Sequence, residues 1–222
     1  MENKDIFEEA LKRKECFSKD TKAFLLGTGL QLAEDEEALL GLFAFYQDEG
    51  ATVWERASAA PLFFEKQGEN ILLRSGASEI RIMKSVFFSY LALVSDIFLA
   101  PLPLGSCVRL KEGAFSAMPD MPEGYAPEAV VTDRYIAIPE AGIYFPYTGV
   151  VYPLGAFGTQ QMIHFGPQLI EDTLHGGYTD EREEAFHELM KEEYILEKGL
   201  HSMSFATGEE AETLRKIMAG GG

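Results

Sequence analysis

The sequence predicts an α+β protein: small, twisted, mostly antiparallel sheets packed with helices, preceded by an N-terminal helical portion. Three observations carry that prediction. The first fifty residues place apolar side chains at helical spacing. Residues 59–83 and 104–165 break into short β-branched and aromatic runs separated by Gly- and Pro-containing turns. Residues 180–218 return to helical periodicity on either side of one short β-like run. At 222 residues the chain can form one compact domain or two small ones. We place the boundary so that 1–98 is a helical plus short-strand subdomain and 99–222 an α+β subdomain. Residues 59–83 offer few strands for a core of their own, so the two parts are expected to share a sheet.

Taken in order, residues 3–15 form an amphipathic helix with Ile6, Phe7, Ala10 and Leu11 on one face. Residues 20–26 add a short helical stretch ending before Gly27 and Gly29. Residues 34–48 form a stronger helix whose first turn is crowded with acids, suiting the positive end of the helix dipole. In 59–83 the turns QGEN and SGAS separate short strands, with Ile80 and Ile82 on a half-buried one. Residues 84–99 are read as a helix. LGSCVRLK, residues 104–111, is a strand, and 112–130 a Pro-, Gly- and Ala-rich loop. RYIAIPEAG and IYFPYTGVVYP are two strands around a Glu-Ala-Gly turn, and QMIHFG is another. Residues 180–197 are the clearest helix: Asp180 precedes Glu183 by three, a capping box, and Phe186, Leu189 and Met190 are expected to face the core. HSMSFAT reads as a strand. Thr207 then caps a last helix with Glu210 three residues on.

With 36 acids against 19 bases, the net charge is −17. Such a surface repels nucleic-acid phosphates and anionic headgroups, and suits a protein partner with a basic surface. The acid is uneven. Residues 34–55 hold seven acids and no base, and residues 171–197 hold ten acids and two bases. The stretch VFFSYLALVSDIFLAPLPL is long enough to span a membrane, but Asp96 and two prolines interrupt it, so no membrane insertion is expected. The opening residues lack an apolar signal core. Two cysteines, Cys16 and Cys107, form no disulfide framework, which fits a reducing cytoplasm.

No catalytic constellation emerges from the residues. The four histidines, His164, His175, His187 and His201, lack zinc-site spacing, and no cofactor or metal site is expected. Cys107 has no base beside it, and Ser106 lacks the G-x-S-x-G setting. The glycine turns at 27–30 and 155–160 make neither a dinucleotide fingerprint nor a phosphate loop. The acids are plentiful on helix faces, where nothing raises a carboxyl pKa into the range of a general acid. One alternative remains: a hydrolase or transferase site assembled from His164, His175 and Asp172.

The aromatics Tyr135, Tyr144, Phe145, Tyr147, Tyr152 and Phe157 fall within 23 residues. Strand side chains alternate between faces, so a short segment cannot turn them all into one core. We therefore expect at least two of Tyr144, Tyr147 and Tyr152 to be exposed, as partner-binding anchors, with Glu181, Glu184 and Glu188 as acidic contacts. Tyrosine suits such a role because it carries both apolar area and a polar tip.

Three segments carry a family resemblance: Leu102-Pro103-Leu104-Gly105-Ser106; Tyr147-Thr148-Gly149-Val150-Val151-Tyr152-Pro153-Leu154-Gly155; and Ile170 through Gly177-Tyr178, leading into an acidic helix. Their order and spacing resemble DUF4176, an uncharacterised bacterial family, over roughly residues 99–195. The resemblance implies neighbourhood with type VII secretion genes and LXG-type toxins. It carries no catalytic residues. The expectation is a non-enzymatic, cytoplasmic protein-binding protein, an immunity or accessory/chaperone protein acting on a toxin or secreted effector. A third reading is a structural or regulatory homo-oligomer whose aromatic patch is its own seam.

Overall fold

The computed structural model describes residues 1–222 except 16, 58–60, 115–125, 157–161 and 221–222. Expectations placed on Cys16, on Phe157 and on most of the 112–130 loop lie outside the described residues. The chain divides into two compact units, Met1–Leu99 with Lys191–Glu197, and Ala100–Met190 with Lys198–Gly222. It is an α+β protein, as the sequence predicts.

The first unit opens with α1 (Asn3–Arg13), which buries Ile6, Phe7, Ala10 and Leu11, the four residues expected from periodicity. Next comes α2 (Lys19–Leu32), capped by Ser18, whose side chain accepts the Thr21 N–H. This helix does not stop before its glycines. A Cβ on Gly29 would sit 2.4 Å from the Phe7 ring and 3.2 Å from the Tyr90 hydroxyl. The glycine therefore provides room for neighbouring side chains, and its helix-propensity cost of about 1 kcal/mol is offset by that packing. In α3 (Glu36–Gln47) the Asp35 carboxylate accepts the Ala38 N–H at 2.9 Å.

Four strands follow: β1 (Val53–Arg56), β2 (Leu62–Gln67), β3 (Asn70–Ser75) and β4 (Ser78–Met83), an antiparallel meander in that order. It is a complete sheet of its own, so the expected sharing of one sheet is corrected. Strand β1 was not expected from the sequence, because VWER is only four residues long and carries no turn signal of its own on its far side. The read helix at 84–99 is α4 (Lys84–Phe98), which buries Phe87, Tyr90, Leu91, Val94 and Ile97. Tyr90 is fully buried, hydrogen-bonded to Thr28 Oγ1 at 2.8 Å and donating to the Leu25 carbonyl at 3.1 Å. Burial holds its phenol well above the ordinary range. Lys191 belongs to this unit and is itself buried. Its ammonium donates to the Ile97 carbonyl at 2.7 Å and to Asn3 Oδ1 at 3.1 Å.

The second unit is built on β5 (Cys107–Leu110), β6 (Glu128–Ile138), β7 (Ile143–Val151), β8 (Ile163–Phe165), β9 (Ile170–His175) and β10 (His201–Ser202). The sheet order is β10-β7-β6-β5-β9, with β8 also pairing β7. All neighbours are antiparallel except β10 and β7. A 3-10 turn at Pro139–Ala141 joins β6 to β7 where the Glu-Ala-Gly turn was read. HSMSFAT supplies only the two residues of β10 before a 3-10 turn at Met203–Phe205. The segment DTLH lies in strand β9. Two helices complete the unit, α5 (Glu181–Lys191, of which Lys191 counts with the first unit) and α6 (Gly208–Gly220). The Thr207–Glu210 capping box forms reciprocally: Thr207 N–H donates to Glu210 Oε2 at 2.7 Å, and Glu210 N–H to Thr207 Oγ1 at 3.3 Å.

Candidate functional site

The pleat of β7 does send Tyr144 and Phe145 to opposite faces, but both faces are covered. Tyr147 packs with Val108, Leu110, Val131, Ile163 and Phe165, and Phe145 with Ile143 and Leu214. Tyr144 lies beside Tyr135, whose ring meets Phe186 of α5 edge-on at 5.9 Å. Tyr144 and Tyr147 are therefore only 4% and 2% exposed, while Tyr152 is 53% exposed. The expectation that two of the three rings are exposed is corrected, because packing covers β7 on both faces of the sheet. Tyr152 follows the end of β7 and is the one candidate ring that reaches solvent.

The acidic candidates lie on the surface of α5. Glu181, Glu184 and Glu188 are all exposed and recur at i, i+3 and i+7 along α5, which places them in one stripe. They do not join Tyr152 in a single patch. The inward face of α5 meets β6 at Arg134, which pairs in register with Tyr147. Tyr152 lies five residues beyond Tyr147, on the order of 17 Å further along the strand direction.

The inward face of α5 carries Glu183 and His187, which corrects the expected core position of Leu189, while Phe186 does pack inward, on the Tyr135 ring at 5.9 Å and with the Arg134 guanidinium 5.4 Å from its centre. The Arg134 guanidinium, 4% exposed, bridges both carboxylate oxygens of Glu183. It also donates to the Leu102 carbonyl at 3.3 Å. His187 Nε2 lies 3.1 Å from Arg134 Nη1 and 3.2 Å from Glu183 Oε1, and its Nδ1 is hydrogen-bonded with the Tyr135 hydroxyl at 3.1 Å. Glu183 and His187 are one helical turn apart, so a single face delivers both. Arg134 holds the Glu183 carboxyl below its ordinary pKa. Glu183 is consequently engaged with Arg134, and the Asp180 side chain alone caps the helix, accepting the Arg182 and Glu183 N–H groups. With the polar residues inward, Leu189 is 57% exposed and Phe186 38% exposed. The outer side of α5 thus carries an acidic stripe beside an apolar one.

The alternative site of His164, His175 and Asp172 does not assemble. His164 is on β8 and His175 on β9, at opposite margins of the sheet with β7, β6 and β5 between them. Four inter-strand steps separate them by about 19 Å. His164 is stacked on Phe145 at 4.2 Å and bonded to the buried Thr148 hydroxyl at 2.7 Å, and burial lowers its pKa. Asp172 sits opposite Arg109. Among the described residues no group of three His, Cys, Asp or Glu side chains is placed to hold a metal ion. No described helix is long and apolar enough to cross a membrane.

The segments that carry the family resemblance come together in space. Tyr147 Oη accepts the Leu102 N–H at 3.0 Å. Buried Ser106 donates its hydroxyl to the Pro103 carbonyl at 2.7 Å and accepts the Gly177 N–H at 3.0 Å. A Cβ on Gly177 would lie 2.1 Å from the Leu104 carbonyl oxygen and 3.0 Å from the Ser106 nitrogen, both backbone atoms. Only glycine lets these two loops touch. Gly177→Ala is expected to destabilise the protein by about 1–3 kcal/mol through overpacking, read as a lower midpoint in urea unfolding at unchanged slope. Gly176→Ala, with nothing within 4 Å of its Cβ, is the control expected to stay close to wild type. These shared residues are architectural: they lock the start of β5 and the end of β9 around a central tyrosine.

No curated protein and no solved structure matches the chain. Residues 101–186, from the Leu102 loop to Phe186 on α5, match the family model of a domain of unknown function, DUF4176.

Proposed function

We propose that this is a non-enzymatic protein-binding protein of the cytoplasm, an immunity or accessory/chaperone protein of a type VII secretion or polymorphic-toxin locus, and that α5 presents its partner-binding face. The observation that carries the reading is the inversion of α5. An ordinary surface helix buries apolar residues and exposes charge. Here Glu183 and His187 are turned onto Arg134, while Leu189 and the outer edge of Phe186 face solvent beside Glu181, Glu184 and Glu188. An apolar strip flanked by acids suits a basic partner that contributes its own apolar anchor, with charge governing encounter and the buried anchor governing lifetime. The overall charge of −17 favours the same class of partner. The match to DUF4176 supports the locus only through the neighbourhood that the resemblance implies.

The test compares the wild-type chain with a triple variant, Glu181→Lys, Glu184→Lys and Glu188→Lys, and with Leu189→Ala. A protein captured at low salt from a lysate of the source organism is purified and its affinity measured for each. The expected result is a basic partner whose binding weakens with salt, is lost in the triple variant, and falls by more than about 1 kcal/mol in Leu189→Ala. Equal affinity for all three proteins refutes the assignment of α5. Light scattering of the free chain addresses the homo-oligomer reading: a salt-independent dimer abolished by Leu189→Ala would favour that reading instead.

A further inference from the structure

The second unit carries another surface with a defined hydrogen-bonding geometry, the outer edge of β9. This strand ends the six-stranded sheet, and five of its six residues are exposed. Among the described residues no strand pairs with its outer side. The register settles which backbone groups point outward. Leu110 N–H donates to the Pro127 carbonyl at 2.8 Å, so Leu110 faces away from β9. Alternation along β5 then turns Arg109 toward β9 and Val108 toward β6. Their partners follow: Asp172, opposite Arg109, points its N–H and C=O inward, and Thr173, opposite Val108, points both outward. Bulges flank this pair of residues, between Cys107 and Val108 and between Arg109 and Leu110. They shorten the regular edge around Thr173, which guards against open-ended aggregation and leaves room for a short segment.

We propose that the β9 edge accepts an extended, basic segment of a partner protein as an added antiparallel strand, docked on the Thr173 backbone. Charge selects the occupant. The strand itself carries Glu171 and Asp172 and neither lysine nor arginine. The nearest cation on the neighbouring strand, Arg109, is ion-paired with Glu128 at 3.2 Å, leaving two carboxylates to one guanidinium around it. A second copy of this chain would bring the same acids against themselves. In strand addition, main-chain hydrogen bonds supply affinity and alternate side chains supply selectivity. A segment with lysine or arginine at every second position meets both requirements. This surface is independent of the α5 face, so either assignment can fail alone.

The probe is an alternating Lys-Val octapeptide, blocked at both ends, with an alternating Glu-Val octapeptide and an N-methylated Lys-Val octapeptide as controls. The N-methylated form keeps the charge but loses main-chain donors on one edge. Binding is read by fluorescence anisotropy, and amide exchange of Thr173 is followed in the complex. The expected result is binding of the Lys-Val peptide alone, with slowed exchange at Thr173. Thr173→Pro removes one outward N–H and leaves the β5 ladder intact, a substitution that edge strands tolerate. It should weaken binding more than about tenfold, whereas Thr173→Val, which keeps the amide, should bind as wild type. Absence of binding, equal binding of the N-methylated peptide, or loss of binding in the α5 triple-lysine variant with Thr173→Pro unaffected would each overturn the proposal. The peptide controls decide the matter even if Thr173→Pro fails to fold.

Discussion

Tyr147→Ala is expected to destabilise the fold by about 3–5 kcal/mol, the range for deleting a buried aromatic ring. Tyr147 is 2% exposed among Val108, Leu110, Val131 and Phe165, and its hydroxyl accepts the Leu102 N–H. Tyr147→Phe separates the two contributions. It keeps the ring and leaves the Leu102 amide without that acceptor, a loss of about 1–3 kcal/mol. Urea unfolding of the three proteins is the check. A Tyr147→Ala protein as stable as wild type would mean that the ring is not core, and would restore it as a surface anchor. The wild-type arrangement says otherwise: the residue that the sequence nominates as a partner contact is where two of the family-like segments are joined.

Arg134→Ala should cost a similar amount, about 3–5 kcal/mol, by a different route. The guanidinium is 4% exposed and is shared by Glu183, His187 and the Leu102 carbonyl. Its removal strands a partly buried carboxylate. The same pair sets an acid limit. Arg134, by its hydrogen bonds and its charge, lowers the Glu183 pKa in the folded state against the opposing effect of burial. The folded state thus binds that proton less readily than the unfolded chain, so the contribution is fully present above the ordinary carboxyl pKa of 4.5 and is lost as pH falls through the depressed value. Glu183→Gln should therefore be less stable than wild type at neutral pH, with the difference closing below about pH 4. A difference that stays constant down to pH 3 would show that the ion pair does not govern this titration.

Much of the fold could be read from periodicity and turn chemistry. The buried face of α1, the helix at 84–98, the strand pair around Pro139–Ala141 and the Thr207 cap are all visible as local patterns. What escaped depended on distant partners. Gly27 and Gly29 look like helix breakers until Phe7 and Tyr90 are known to need the space at Gly29. β9 has a polar, acidic composition without regular alternation of apolar residues, and it is a strand because β5 offers it a ladder.

The candidate site was legible in charge but not in orientation. Glu181, Glu184 and Glu188 were found through the acidity of residues 171–197, because a charged, solvated helix has a local signature in composition. The inward turn of Glu183 and His187 has none. It follows from a buried arginine 49 residues earlier, and the ordinary rule that apolar residues face the core gave the opposite orientation for Leu189. The one available hint was that Glu183 and His187 share a helical face, a spacing that invites a common cation. For the tyrosines the pleat argument was right about divergence. Coverage of both faces depends on α5, α6 and β8, which lie far along the chain.

The membership of Lys191–Glu197 in the first unit has a consequence for the time course of synthesis. A ribosome delivers residues in order, at about 5–20 per second, and N-terminal domains commonly fold while the remainder is still being made. Here the first unit cannot finish on that schedule. The Ile97 carbonyl and Asn3 wait for the Lys191 ammonium, and Arg13 waits for the Leu196 carbonyl, which it reaches at 2.6 Å. Roughly ninety residues must be translated after Leu99 before those partners exist, an interval of about 5–20 seconds. Throughout it the nascent helices α1 and α4 lack their last polar closures, and their completion is tied to the emergence of almost the whole of the second unit.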